Sequence, residues 1–196
     1  MQKQKIIFAT KNDGKLTEIN KILADFNIIS MVSAGYDIDI KEDGQTYREN
    51  AAKKAQALVH LSGLPVLADD SGIEIDFFDG QPGVHSSTFL TTNEYYKERN
   101  KKILGMMKNT ANRRAKYVCT VTLFLPGVVD GYFTTGELAG SIATYPDGAN
   151  GFAYDEIFYV EQYNATLAKI TTAQKNKISH RNIALQKMRI LLQTIV

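Results

Sequence analysis

Apolar residues along the chain fall into two rhythms, short unbroken runs and stripes at helical spacing. Ile6-Ile7-Phe8-Ala9-Thr10 is a continuous β-rich run and predicts a buried strand. It stops at the polar stretch Lys11-Asn12-Asp13-Gly14-Lys15, beyond which Leu16, Ile19, Ile22, Leu23 and Phe26 recur as on an amphipathic helix. Strand, glycine loop and helix open an α/β unit. Thr46-Tyr47-Arg48-Glu49 has the form of a capping box, and Ala51, Ala52, Ala55, Leu58 and Val59 supply the packing face of the helix behind it. Gly63-Leu64-Pro65 ends that helix.

Val66-Leu67-Ala68 starts another buried strand, running into Asp69-Asp70-Ser71-Gly72. Beyond it, Ile73-Glu74-Ile75-Asp76-Phe77 alternates as a half-buried strand does. A loop at Asp79–Gly83 follows, and Tyr96, Ile103, Leu104 and Met107 predict a third helix from Asn93 to about Lys108. Two long strands are expected over Lys116–Leu125 and Gly131–Ile142. The glycine-rich stretch Pro146–Gly151 leads into Phe152-Ala153-Tyr154-Asp155, and a strand enters at Ile157-Phe158-Tyr159-Val160. The last helix opens near Ser179 and buries Ile183, Ala184, Met188, Leu191 and Leu192. No repeat, low-complexity segment or linker interrupts the 196 residues. They fit one domain, or two closely packed lobes.

Composition narrows the classes. A hydrophobic share of 44% with 22% charged residues is that of an ordinary globular chain. A net charge of +2 with no dense basic block disfavours a general nucleic-acid binder, yet suits a small phosphorylated ligand held by a few lysines. The single cysteine, Cys119, sits in an apolar run, so it reads as a core thiol and fits a reducing compartment. The apolar run behind Met1–Lys5 is too short for a signal peptide and nothing approaches a membrane span, so a cytoplasmic protein is expected.

Four segments could carry chemistry. Adjacent carboxylates such as Asp69-Asp70 repel and resist desolvation, so a buried pair needs a cation or several donors. Mg²⁺ suits such a pair, and a solvated turn explains the same residues. Both readings stay open. The loop Thr10–Lys15 offers free backbone N–H groups at a helix start, where an anion would offset the unfavourable placement of Lys15. Lys175, Lys177, His180 and Arg181 are read as a second cationic cluster at the start of the last helix, although a solvated charge run is commoner. Phe152 or Tyr154 could stack on a base, but both equally suit the core of the following strand. His60 and His85 lack any metal-ligand spacing, and no GxSxG elbow occurs.

Taken in order, six segments resemble the inosine triphosphate pyrophosphatase family: Ala9–Lys15; Glu49-Asn50-Ala51 with Lys54; Ala68–Gly72; Pro82-Gly83-Val84; Gly151–Asp155 with Ile157-Phe158; and Ser179-His180-Arg181 with Ala184-Leu185. The resemblance implies an α/β fold of two lobes around a long mixed sheet, a substrate site in the cleft between lobes, and a homodimer. It implies Mg²⁺-dependent hydrolysis of inosine, deoxyinosine and xanthosine triphosphates to monophosphate and pyrophosphate, which cleanses the nucleotide pool. By matching positions, Asp70 would ligate the metal and act as general base, with Glu42 as a second ligand. Thr10, Asn12, Lys15, Lys54 and Ser71 would hold the phosphates, and Lys11, Asp13 and Gly14 of the same loop would also contact the substrate. Phe152, Ala153 and Tyr154 would lie at the base, with Phe152 stacking on it. Asp155, Lys175, Ser179, His180 and Arg181 would recognise its keto edge. The chain departs from the family at Asp147, at Ala153 where glycine is usual, at Glu156 where proline is usual, and over His85–Thr88. A nucleotide-binding or regulatory protein of the same fold without turnover, or one with altered base preference, is the alternative.

Overall fold

The computed structural model describes residues 4–90 and 96–195. Seven strands and five α-helices follow one another along them, alternating as far as the fourth strand. They are β1 (Lys5–Phe8), α1 (Asp13–Ile22), β2 (Asn27–Ser30), α2 (Tyr47–Ser62), β3 (Val66–Ile75), α3 (Tyr96–Met106), β4 (Arg114–Phe124), β5 (Tyr132–Ile142), β6 (Phe158–Val160), β7 (Ala165–Thr166), α4 (Thr172–Ile178) and α5 (His180–Ile195). The strands form one sheet in the order β2-β1-β3-β4-β5-β6-β7. It is mixed: β1 is parallel to β2 and β3, whereas β6 is antiparallel to β5 and β7. No helix among the described residues is long and apolar enough to cross a membrane.

The residues group into two compact units. The first comprises 1–70, 119–136 and 181–196, the second 71–118 and 137–180. In the first unit, strand alternation sorts side chains onto the two faces of the sheet. Ile6, Phe8, Leu67, Cys119, Val121 and Leu123 pack with Ile19 of α1 and with Ala184, Met188 and Leu192 of α5. Ile7, Ala9, Val66, Ala68 and Phe124 pack with Ala55, Leu58 and Val59 of α2. Burial on both faces explains why β1 reads as an unbroken apolar run. In the second unit, Ile73, Ile75, Ile103, Tyr117, Tyr154, Ile157 and Phe158 build a separate core.

Local signals act largely as read. Thr46 Oγ1 accepts from Glu49 N–H at 3.1 Å, but the Glu49 carboxylate reaches Gln45 N–H, one residue before the expected partner. Gly63 ends α2 in the left-handed region at φ 63°, which costs glycine no Cβ clash. Three elements have no expected counterpart: the edge strand β2, the two-residue β7 and the short helix α4. Each is too brief to show a period. A full capping box, Thr171 with Gln174, opens α4. The expected helix start at Asn93 lies outside the described residues.

Cys119 is fully buried, and burial pushes its thiol well above the usual range. We predict that the native chain resists a thiol-specific reagent at pH 8 while the urea-unfolded chain takes up one equivalent. Rapid labelling of the native protein would contradict this packing.

Candidate active site

The acidic tetrapeptide lies inside β3, which continues unbroken from Val66 to Ile75. The turn reading is therefore excluded. Asp69 is 1% exposed and Asp70 8%, so two neighbouring carboxylates are desolvated together. Alternation separates them. Asp69 falls in phase with Leu67, on the face covered by α1 and α5; Asp70 falls in phase with Ala68, on the face covered by α2.

Each carboxylate meets donors from the helices on its own face. Lys15 Nζ of α1 stands 3.2 Å from Asp69 Oδ1, and Arg181 Nε of α5 donates to Asp69 Oδ2 at 3.1 Å. Arg181 also pairs with Glu18 at 3.2 Å. Burial alone would raise the Asp69 pKa, but Lys15, Arg181 and Lys54 outweigh it and hold the carboxyl well below the ordinary range. On the other face, Asn50 Nδ2 donates to Asp70 Oδ2 at 3.0 Å. The Asn50 amide is oriented in turn by Gly44 N–H, which donates to its Oδ1 at 2.7 Å. Asn50 thus ties Asp70 to the segment that carries Glu42. Sequence reading placed Asn50 in a motif without giving it this task.

Lys54 lies one helical turn beyond Asn50 and pairs with Glu42 at 2.9 Å. Burial acts to lower its pKa, but Asp69, Glu42 and Asp70 together raise it, so the ammonium stays charged at neutral pH. A cavity of about 200 Å³ in this unit is lined by Thr10, Lys11, Lys15, Glu42 and Lys54, among others. Ala9, Thr10 and Lys11 bring the β1–α1 loop to its wall. Thr10 Oγ1 accepts from Asn12 N–H at 3.1 Å, and Asn12 caps α1 by accepting from Lys15 N–H at 3.0 Å. Asp13 opens the first turn and Gly14 follows it. Lys11 is drawn to Asp37 and Asp39, each at 2.8 Å. The cavity therefore collects three of the expected lysines with Thr10 and Glu42.

Ser71 begins the second unit, half-buried in β3. Phe152 and Tyr154 separate cleanly there. Tyr154 is core, its hydroxyl donating to Ser86 O at 2.5 Å, whereas Phe152 is 66% exposed. The Lys175 ammonium stands 4.9 Å from the Phe152 ring centroid. Asp155 is buried; its Oδ2 accepts from Phe152 N–H at 2.9 Å and pairs with Lys175. Gly151, at φ 79°, is required beneath it, since a Cβ there would lie 2.1 Å from that oxygen. Ala153 also adopts a left-handed backbone, at φ 58°.

The cluster expected at the start of the last helix is two structures. Lys175 and Lys177 lie in the last turn of α4, where the helix dipole favours cations, and Ser179 ends that helix with an extended backbone. His180 and Arg181 begin α5. Successive helical residues point about 100° apart. His180 stacks on Tyr117 at 4.8 Å with planes 8° apart, while Arg181 binds Asp69 and Glu18. Its engagement with Asp69 was not legible from the motif.

A family model described as the Ham1 family matches residues 6–191. The chain is 40% identical to a dITP/XTP pyrophosphatase of Geobacter sulfurreducens over 92% of each protein. It is 34% identical to a dITP/XTP pyrophosphatase of Staphylococcus aureus (strain MW2) over 97% of each. Among solved structures it resembles the Ham1 protein of Staphylococcus aureus and a HAM1 protein of Coxiella burnetii. Both give a TM-score of 0.91, at 34% and 36% identity, over 97% of this chain and 99% of theirs.

Removing the Asp69 charge takes from the buried Arg181 one of its two carboxylate partners and from Lys15 its own, so Asp69→Asn should destabilise the protein by up to about 3–5 kcal/mol at neutral pH in urea titrations. The folded carboxyl lies below its unfolded value of about 3.9, so its contribution is complete above that pH and is lost as pH falls through the folded value. The acid-induced loss of stability below about pH 4 should accordingly be shallower in Asp69→Asn than in wild type. Equal acid slopes would refute this role.

Proposed function

Because the chain belongs to the Ham1 family, we propose that it hydrolyses deaminated purine nucleoside triphosphates, those of inosine, deoxyinosine and xanthosine, to the monophosphate and pyrophosphate. One observation carries the chemistry: Asp69-Asp70 is buried within a strand, with Lys15 and Arg181 bound to one carboxylate and Asn50 to the next. Lys15 joins that acid pair to a cavity also edged by Lys11 and Lys54, and such an edge of ammonium groups is suited to a polyanion and not to an apolar ligand.

The donor set fits a hard divalent cation. Asp70 and Glu42 offer oxygen only, and no group of three or more His, Cys, Asp or Glu is gathered to hold a metal among the described residues. Two carboxylates suit Mg²⁺, which takes its remaining ligands from water and substrate phosphates. Asp70 and Glu42 would hold it, with Glu42 sharing or releasing Lys54. When bound, the ion neutralises charge on the phosphate oxygens.

The chain's own residues account for the remaining steps. Asp70, its carboxylate fixed by Asn50, accepts a proton from the water that attacks the α-phosphorus. Lys15 and Lys54 draw the phosphate chain into line and offset the charge of the departing pyrophosphate. Thr10, Lys11, Asn12, Asp13, Gly14 and Ser71 complete the phosphate cradle, the helix start supplying N–H donors. Arg181 acts through Asp69, holding it ionised between α1 and α5. Phe152 stacks on the base. Lys175, Asp155, Ser179 and His180 select a keto over an amino group, because a site of paired donors leaves partners unmatched against an amine. A homodimer and a cytoplasmic setting belong to the same proposal.

The test is product analysis with inosine, xanthosine and adenosine triphosphates and Mg²⁺. Pyrophosphate and monophosphate should appear from the first two, little from the third, and chelation by EDTA should stop turnover. Orthophosphate as the direct product, or tight nucleotide binding without hydrolysis under any divalent metal, would overturn the reading. Asp70→Asn should lower kcat by about 10²–10⁴-fold and leave nucleotide binding largely intact. His180→Ala should instead erode the preference for keto purines, seen as converging kcat/KM values for inosine and adenosine triphosphates.

A further inference from the structure

The segment that presents Phe152 is held by a residue the proposed reaction does not use. Asn100 of α3 is 1% exposed. Its Nδ2 donates to Ala153 O and to Glu156 Oε1, both at 2.9 Å. The two acceptors fix the amide orientation, since the opposite orientation would aim Oδ1 at two other oxygens. In this orientation the buried Oδ1 has no hydrogen-bond partner among the described residues. An unpaired buried acceptor lowers stability, so Asn100 is not the side chain that stability alone would place there.

Its two partners flank the base segment at informative positions. Ala153 sits at φ 58°, a conformation in which a Cβ is strained and glycine is not. It follows Phe152 directly and precedes the Tyr154-Asp155 pair by one residue. Pinning the Ala153 carbonyl holds that backbone in its strained state. The Asp155 carboxylate then closes back on Phe152 N–H, with Lys175 over the exposed ring. Glu156 fixes the other end of the same segment through the second N–H.

The geometry points to Asn100 as a positioning residue for base recognition: its amide clamps Ala153 and Glu156 and so sets the angle at which Phe152 meets a purine. This rests on the stacking reading of Phe152. The clamp replaces the conformational freedom that a glycine at 153 would provide.

The experiment compares KM for inosine triphosphate in wild type, Phe152→Ala, Asn100→Leu and the double variant Asn100→Leu/Ala153→Gly, with inhibition by inorganic tripolyphosphate as a probe without a base. Asn100→Leu keeps the branched shape and the count of heavy atoms and removes both N–H groups. It should raise KM roughly 10-fold or more with kcat little changed, because lost positioning weakens ground and transition states alike. Tripolyphosphate inhibition should not move, and Ala153→Gly should bring KM back toward wild type. The smaller change Asn100→Ser, run in parallel, should shift KM in the same direction. A raised KM in Phe152→Ala with none in either Asn100 variant would overturn the clamp and leave stacking intact. An unchanged KM in Phe152→Ala would remove the stacking reading, and the clamp with it. A KM rise matched by weaker tripolyphosphate inhibition, or not corrected by Ala153→Gly, would mean a general loss of structure and would overturn the clamp.

Discussion

The first unit is organised around the ionised carboxylate of Asp69 in an apolar strand. Leaving such a charge unpaired away from water would be prohibitive, so cations must converge on it. Lys15 and Arg181, from helices near opposite ends of the chain, do so. Those contacts fix how α1 and α5 lie against β3, and with them the loop from Thr10 to Lys15. Hydrophobic burial supplies the bulk of the folding free energy, but it is indifferent to small slides of one helix along a sheet. A buried ion pair is not.

The pleat of β3 explains how adjacent acids come to differ. Asp69 is enclosed by positive charge from α1 and α5, while Asp70 on the opposite face accepts from the Asn50 amide of α2. On the proposed reading Asp70 takes the proton from water, while Asp69 holds α1 and α5 in place. Asn50 is also bonded to Gly44, so the position of Asp70 is coupled to the segment that carries Glu42 and walls the cavity. In the second unit an equivalent economy holds: Asp155 uses one buried oxygen to bind both Phe152 N–H and Lys175, leaving the Phe152 ring exposed.

Helices α1 and α2, the long strands β4 and β5 and the last helix were legible because each carries several periods of apolar residues or a recognisable cap, and β1 because it is an unbroken apolar run. The roles proposed for Thr10, Lys15, Lys54, Asp70 and Phe152 come from resemblance. β2, β7 and α4 were not, since elements of two to seven residues show too few repeats to distinguish strand, helix and loop. The division of Lys175 and Lys177 from His180 and Arg181 failed for the same reason: a break at Ser179 has no signature stronger than its serine.

By itself the sequence determined the longer strands and helices, their apolar faces, the core placement of Cys119 and the family to which the chain belongs, because these follow from short-range periodicity and ordered motifs. Only the tertiary structure decided that Asp69-Asp70 lies inside a strand and not in a turn, that Arg181 serves Asp69, that Tyr154 is core while Phe152 is exposed, and that Asn50 and Asn100 hold Asp70 and Ala153. The physical reason is common to all four. Periodicity records which residues avoid water, whereas the partner of a buried polar group is chosen by residues tens of positions away in the chain.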